Sequence, residues 1–323
     1  MNRFIKIGLG IVAGLVGIVG LGGAYVAFAF PKVDDPSDVE VKTNEEMLQR
    51  GEYLTQHVTV CLDCHAERDW SRFAGPAKPG TEGAGGEHFP PEMGFPGDFY
   101  SKNITPAGIG DWTDGELIRA ITEGVTREGK AMFPLMPYPY YRHLCERDLH
   151  AIVGNIRSLE PIERDVPETK LHFPMNLIVG TIPQPAEPWA CPEPTTPEYG
   201  KYLTTIAGCK ECHTQQDKGE QLPGMEFAGG WEFALPKGGF VSSANISPDP
   251  ETGIGSWTKA QFVARFRAFA NPEALVDVKP GGFNTIMPWS MYAGMTEEDL
   301  GAIYDYLKTQ KPVKHQVNRF RAE

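Results

Sequence analysis

The sequence predicts a mainly α-helical chain in which an N-terminal transmembrane helix is followed by two tandem domains of like design. Three observations carry that expectation. Residues 7–30 contain no charged side chain. The pattern Cys-x-x-Cys-His occurs twice, at Cys61–His65 and Cys209–His213. The neighbourhoods of the two copies repeat each other, with apolar residues at helical spacing. The chain therefore divides into a cytoplasmic N-terminus (1–6), a spanning segment (7–30), a linker (31–42), a first domain (43–162), a Pro-rich connector (163–196) and a second domain (197–323).

At about 1.5 Å per helical residue, Ile7 to Phe30 would reach about 36 Å, enough to cross a bilayer core. Arg3 and Lys6 precede this stretch, and Asp34, Asp35 and Asp38 follow it. The positive-inside bias then leaves the N-terminus in the cytoplasm and both domains outside, in the periplasm of a bacterial inner membrane. A cleaved signal peptide, processed at Ala27-Phe28-Ala29, is the competing reading. Its apolar core would ordinarily run only about 7 to 15 residues.

Two thiols three positions apart can bond the two vinyl groups of one porphyrin while the adjoining imidazole reaches its iron. Cys61, Cys64 and His65, with Cys209, Cys212 and His213, are thus expected to hold two covalently bound haem c groups. A redox dithiol or half of a zinc site would need only one such pentapeptide. Glu45 to Val58 and Pro197 to Ile206 read as helices leading into the motifs, the second entered through Thr195 or Thr196 as a cap. Glu146 to Leu159 and Thr296 to Thr309 read as closing helices, with acidic first turns and a proline soon after the end. Each half becomes helix, haem motif, long Gly/Pro loop, closing helix. With the porphyrin as much of its core, the apo-protein should fold poorly.

The repeat has a period of about 150 residues, the signature of domain duplication. Gly51-Glu52-Tyr53-Leu54 answers Gly200-Lys201-Tyr202-Leu203, and Phe73-Ala74-Gly75 answers Phe227-Ala228-Gly229. Asn103-Ile104-Thr105-Pro106 answers Asn245-Ile246-Ser247-Pro248, each followed by Gly-Ile-Gly-x-Trp ending at Trp112 or Trp257. Met136 to Ile162 aligns without gaps on Met287 to Val313.

That register makes Met136 and Met287, each followed by proline, the expected sixth iron ligands. Thioether ligation raises the potential and suits a carrier. Met132 competes in the first domain, and Met291 or Met295 in the second. His57, His88, His143, His150, His172 and His315 lack counterparts in the opposite half and read as surface or structural residues. His88, in the irregular insert from Pro76 to Gly97, is the best exception. Asn103, Asn245, Trp112 and Trp257 are expected donors to haem propionates, while Tyr138, Tyr141, Trp289 and Tyr292 read as crevice packing.

The formal charge of −12 excludes a nucleic-acid partner, which needs a basic footprint, and fits redox proteins with basic docking faces. Cys145 and Cys191 remain after the haem thiols, and outside the cytoplasm they are expected to pair rather than stay as two unrelated thiols. The apolar middle of the connector, Leu171 to Val179, is expected to pack across the domain boundary.

These segments resemble the membrane-bound multihaem cytochrome c subunits of bacterial alcohol and gluconate dehydrogenases and related class I cytochromes c. Besides Cys-x-x-Cys-His, the resemblance is carried by the Phe-Ala-Gly segments, residues 245–257 and Met-Pro-Tyr-Pro-Tyr-Tyr at 136–141, and it covers most of both domains. It implies class I cytochrome c-like domains, with His65 paired to Met136 and His213 to Met287. It also implies electrons taken from a periplasmic dehydrogenase toward quinone or a terminal oxidase. Those subunits typically carry three haems and are often anchored at the other end, whereas this chain has two motifs and an N-terminal apolar span. The expectation is a membrane-anchored dihaem cytochrome relaying single electrons in a periplasmic respiratory chain, with redox proteins or a membrane respiratory complex as partners. The alternative is a dihaem enzyme, a peroxidase or sulfur-compound oxidoreductase, with one open or unusually ligated iron.

Overall fold

Helix α1 (Arg3–Ala29) runs through the uncharged stretch. The structure, a computed structural model, describes residues 3–217 and 219–322, with the side chains at 3, 6, 8, 10, 19 and 27 outside that description. The expected transmembrane helix is corrected here: among the described residues no helix is long and apolar enough to cross a membrane. The single anchor and the membrane contact expected from it are corrected with it.

In the first half, α2 (Glu45–Tyr53) starts where the Asn44 side chain accepts the Met47 amide at 2.9 Å. Its continuation, Leu54–Val58, is one π-type turn closed by the Thr59 amide on the Leu54 carbonyl at 2.8 Å. The repeat explains this turn. Tyr53 lies eight residues before Cys61, whereas its counterpart Tyr202 lies seven before Cys209. The wider turn absorbs the extra residue without shifting the haem motif. The motif turn α3 (Cys61–Cys64) is followed by β1 (His88–Phe89), β2 (Gly97–Tyr100), α4 (Pro106–Ile109), α5 (Asp114–Glu123), α6 (Tyr138–Tyr141) and α7 (Glu146–Ser158). The connector supplies β3 (Lys170–Leu171), which pairs with β2, and α8 (Met175–Ile178).

The second half repeats this order with α9 (Pro197–Ile206), the motif turn α10 (Cys209–Cys212), the hairpin β4 (Gln216–Asp217) and β5 (Glu220–Gln221), and the pair β6 (Glu232–Ala234) and β7 (Phe240–Ser242). Then come α11 (Lys259–Arg267), α12 (Trp289–Tyr292), α13 (Glu297–Thr309) and β8 (Phe320–Arg321), which joins β7. The region read as long loop thus holds α5 and α11. Both open with a capping box, Thr113 with Glu116 and Thr258 with Gln261. The Thr-x-x-Glu/Gln signature was present in the sequence at both places. Thr113→Ala should cost about 1 kcal/mol, readable as a small fall in the denaturation midpoint.

The Gly-x-Tyr-Leu repeat has a packing cause. A Cβ on Gly51 would lie 2.0 Å from the Ala151 carbonyl oxygen of α7, and one on Gly200 would lie 2.2 Å from that of Ala302 in α13. These glycines let the opening helix of each half touch the backbone of its closing helix. Gly200→Ala must therefore push α9 off α13, with an expected loss of about 1–3 kcal/mol in chemical denaturation of the loaded protein.

One hydrophobic core runs through both halves: Leu54, Val58, Ile152 and Val153 from the first join Tyr202, Leu203, Ile206, Leu300 and Leu307 from the second. Polar contacts cross the boundary reciprocally. Tyr53 donates to Asp299 at 2.5 Å, and its repeat partner Tyr202 donates to Asp148 at 3.0 Å. Arg50 clamps Asp148 through two nitrogens at 2.7 and 3.1 Å, and Tyr199, at the matching position, donates to Asp299 at 2.8 Å.

Cys145 and Cys191 form the expected disulfide across 46 residues. By the loop-closure account this bridge stabilises by about 4 kcal/mol. The connector's apolar middle does not pack across the boundary as expected. It pairs Leu171 with Gly97 of the first half, while Gly180 lies 3.4 Å from the Phe30 side chain as judged by an added Cβ. Phe173 and Leu177 stay exposed.

Candidate haem centres

Each motif is a single helical turn entered through a left-handed residue, Val60 at φ 47° and Gly208 at φ 65°. The reversal brings the chain sharply from the preceding helix into the Cys-x-x-Cys turn. Desolvation pushes the thiols of Cys64, Cys209 and Cys212 up to about 12, as expected for sulfurs facing an apolar crevice. The four motif cysteines form no disulfide.

The imidazoles are held identically. Nδ1 of His65 donates to the Lys102 carbonyl oxygen at 2.7 Å, and Nδ1 of His213 donates to that of Ala244 at 2.7 Å. Burial pushes His65 down and His213 down to about 4, so both rings are neutral at neutral pH. A neutral ring with Nδ1–H spent on a carbonyl presents the Nε2 lone pair, the donor an iron takes. The donor set therefore fits a covalent haem at each motif.

The residues after those carbonyls, Asn103 and Asn245, hold the loop that delivers them. Asn103 accepts the Thr105 amide at 2.9 Å and donates to the Ile162 carbonyl at 2.8 Å. Asn245 accepts the Ser247 amide at 2.9 Å and donates to the Val313 carbonyl at 2.8 Å. Trp112 packs half-buried against the core, while Trp257 is 36% exposed. On the other side, the Tyr141 hydroxyl donates to the Thr59 carbonyl and that of Tyr292 to the Ala207 carbonyl, both at 2.6 Å and both two residues before a motif. These bonds fasten α6 and α12, and with them Met136 and Met287 just upstream, to the haem turns. Both methionines are half-buried against the shared core, and their competitor Met295 is fully buried in it.

One element of the repeat register is corrected. The Gly85 amide donates to the His65 carbonyl at 3.0 Å, as Gly229 does to His213 at 2.8 Å. Glu82-Gly83-Ala84-Gly85-Gly86 is therefore the counterpart of Glu226-Phe227-Ala228-Gly229-Gly230. Phe73-Ala74-Gly75 instead belongs to a loop that reaches the second half. Its Phe73 amide donates to the Val276 carbonyl at 2.8 Å, and its Ala74 amide to the Asn284 side chain at 2.8 Å.

Sequence reasoning missed the acids inside the motifs, Asp63 and Glu211, although both occupy the position before the second cysteine. Asp63 is buried 3.2 Å from Arg68, and burial pushes its carboxyl up to about 6 against the pull of that arginine. Glu211 accepts from the Tyr140 hydroxyl of the first half at 2.6 Å. The Tyr140 hydroxyl also accepts from the Gln221 side-chain amide at 2.8 Å, so α6 of the first half is tied to the second motif and to the hairpin after it. Four of the six unmatched histidines have structural partners as follows. His88 meets Asp98 at 3.1 Å and stacks on Tyr100, His143 stacks on Trp189, and His57 and His315 bond the Met291 and Ala228 carbonyls.

Residues 197–311 match the Cytochrome c family. The chain is 28% identical over 285 residues to the alcohol dehydrogenase (quinone), cytochrome c subunit, of Gluconacetobacter polyoxogenes, covering 83% of this chain and 56% of the relative. It is 25% identical over 287 residues to the gluconate 2-dehydrogenase cytochrome c subunit of Pantoea cypripedii, covering 83% of this chain and 60% of the relative. A diheme cytochrome c-type protein of Cereibacter sphaeroides is 30% identical over 217 residues, covering 64% of this chain and 70% of the relative. The chain thus spans little more than half the length of the dehydrogenase subunits it matches.

Proposed function

The chain belongs to the c-type cytochromes, within which dehydrogenase subunits and dihaem proteins are its relatives, and from that premise we propose that it relays single electrons between two covalently held haems. Haem c, when bound, supplies an iron that alternates between ferric and ferrous states. The chain's own residues do the rest. Cys61, Cys64, Cys209 and Cys212 would fix the two macrocycles, and His65 and His213 would ligate through Nε2. Met136 and Met287 would close the opposite faces and exclude exogenous ligands. Asn103 and Asn245 keep the carbonyls of Lys102 and Ala244 aimed at the imidazoles, while Trp112 and Trp257 would line the crevices on the propionate side.

The observation that carries this reading is the doubled frame: imidazole to carbonyl on one side and tyrosine to carbonyl on the other, in both halves, at matching distances. The partners proposed are a dehydrogenase as donor and a further redox protein or respiratory complex as acceptor. The Cys145–Cys191 disulfide supports an oxidising compartment such as the periplasm.

The test is the absorption spectrum of the reduced, haem-loaded protein before and after carbon monoxide, together with a count of haem per chain. Two haems per chain and an unchanged spectrum are expected. A spectral shift in about half of the haem would reveal one open iron and refute the two-methionine assignment.

A further inference from the structure

The two halves differ in how one helix face is covered. In α5, Gly115, Arg119 and Ala120 are buried, with Glu116 and Glu123 half-buried. The cover is extended chain: a Cβ on Gly115 would lie 1.9 Å from the Ser37 carbonyl oxygen, the Val41 amide donates to Asp114 at 2.8 Å, and the Ala186 amide donates to Glu123 at 2.8 Å. In α11 the matching positions, Ala260, Gln261, Ala264, Arg265 and Ala268, are all exposed. With Ser256 and Trp257, all of these but Ala260 border a groove of about 530 Å³.

The charge beside this groove is uncompensated. Arg265 lies over the rings of Phe269 and Trp289, at 5.1 and 4.9 Å, and among the described residues it pairs with no carboxylate. Its charge, added to burial, holds the Arg319 guanidinium below its ordinary value. On a chain of net charge −12, an unneutralised arginine on an open helix face is an anion-seeking feature. Trp289 follows Met287-Pro288 directly, so whatever lies on α11 sits beside the loop of the proposed second sixth ligand.

We propose that the open face of α11 docks an extended acidic segment of a redox-partner protein, laid along the helix side that bears Arg265. The partner role rests on the electron-transfer reading above; the docking itself does not. A second copy of this chain is the poorer occupant. Its own 37–41 segment is already engaged on α5, where the Val41 amide donates to Asp114, and Ala260 in place of Gly115 sets any occupant of α11 further from the helix axis.

The experiment titrates the haem-loaded protein with a nonapeptide of alternating aspartate and valine, followed by calorimetry, and with its lysine–valine counterpart. Saturable binding of the acidic peptide only is expected, weakened at least tenfold by Arg265→Glu and by raised salt. Lys314→Glu, a charge reversal elsewhere on the same half, should leave it unchanged. The absorption spectrum of each variant reports that its haem sites are intact. Absent binding, equal binding of the two peptides, or indifference to Arg265→Glu overturns the proposal. Sedimentation showing self-association that Arg265→Glu abolishes would assign the face to a second copy and overturn the partner. A failed carbon monoxide test with intact peptide binding would instead remove only the electron-transfer reading.

Discussion

Met287→Ala is expected to open the second iron while leaving its haem attached. The thioether bonds and His213 remain, so the haem count should stay at two per chain, but carbon monoxide should now bind about half of the haem. The potential of that haem should fall by on the order of 0.1 V, a fraction of the roughly 0.8 V that axial-ligand identity spans. Met136→Ala should do the same to the first haem, because Tyr141 and Tyr292 fasten the two methionine loops alike. A Met295→Ala variant that opened an iron, with Met287→Ala silent, would transfer the ligand role to that residue. The direction of the shift follows from the loss of thioether ligation, which favours ferrous iron. Potentiometry resolved by wavelength would read both haems in one experiment.

Arg50→Ala should be the most damaging single change outside the haem motifs. Asp148 is fully buried, and among the described residues Arg50 is the one mostly buried cation that contacts it; Arg147 reaches it from an exposed position. Removing one partner of such a pair leaves a carboxylate in the interior with the Tyr202 hydroxyl as its main donor, at an expected cost of about 3–5 kcal/mol. Denaturant unfolding of the loaded protein would measure it. The pH dependence has a defined sign. Burial alone would raise the Asp148 carboxyl, but the hydrogen bonds and charge of Arg50 outweigh burial and hold it below the ordinary range. The stabilisation is therefore present above the unfolded-state pKa, near pH 4, and is lost as the pH falls through the folded value. In Arg50→Ala that acid loss should begin at higher pH, because desolvation then acts unopposed.

Much of the fold was legible because its signals are local. All four helices that lead into and close each half have acidic first turns, the closing pair also have a proline soon after the end, and they appear within a residue or two of their expected ends, although Thr196 starts α9 without a side-chain cap. The Cys-x-x-Cys-His motifs are read from fixed spacing, and the Cys145–Cys191 bridge from the two cysteines left over in an exported chain. Legibility failed where structure depends on distant backbone. Gly85 and Gly229 are equivalent because each amide meets the carbonyl of a motif histidine, which no composition match reveals, and Phe73-Ala74-Gly75 imitated the pattern without the bond. The sheets were missed because their strands run only two to four residues within Gly/Pro-rich stretches. The role of Asn103 and Asn245 as loop ties also depends on partners about 60 to 70 residues away. The capping boxes of α5 and α11 were readable and were overlooked within segments dominated by glycine and proline.

The reciprocal contacts between the halves have the form of an isologous dimer interface written into one chain: Tyr53 meets Asp299 while Tyr202 meets Asp148. In a true two-fold dimer, one gene position dictates both sides, so a residue that suits one contact must suit its mirror. Fusion removes that constraint. Arg50 and Tyr199 occupy the same repeat position yet serve their aspartates differently, one as a cation and one as a phenol. Symmetry persists in the frame around each motif histidine and in the tyrosine contacts across the seam, and has lapsed in the partner each aspartate finds within its own half, which leaves the two ends of the molecule free to specialise for different neighbours.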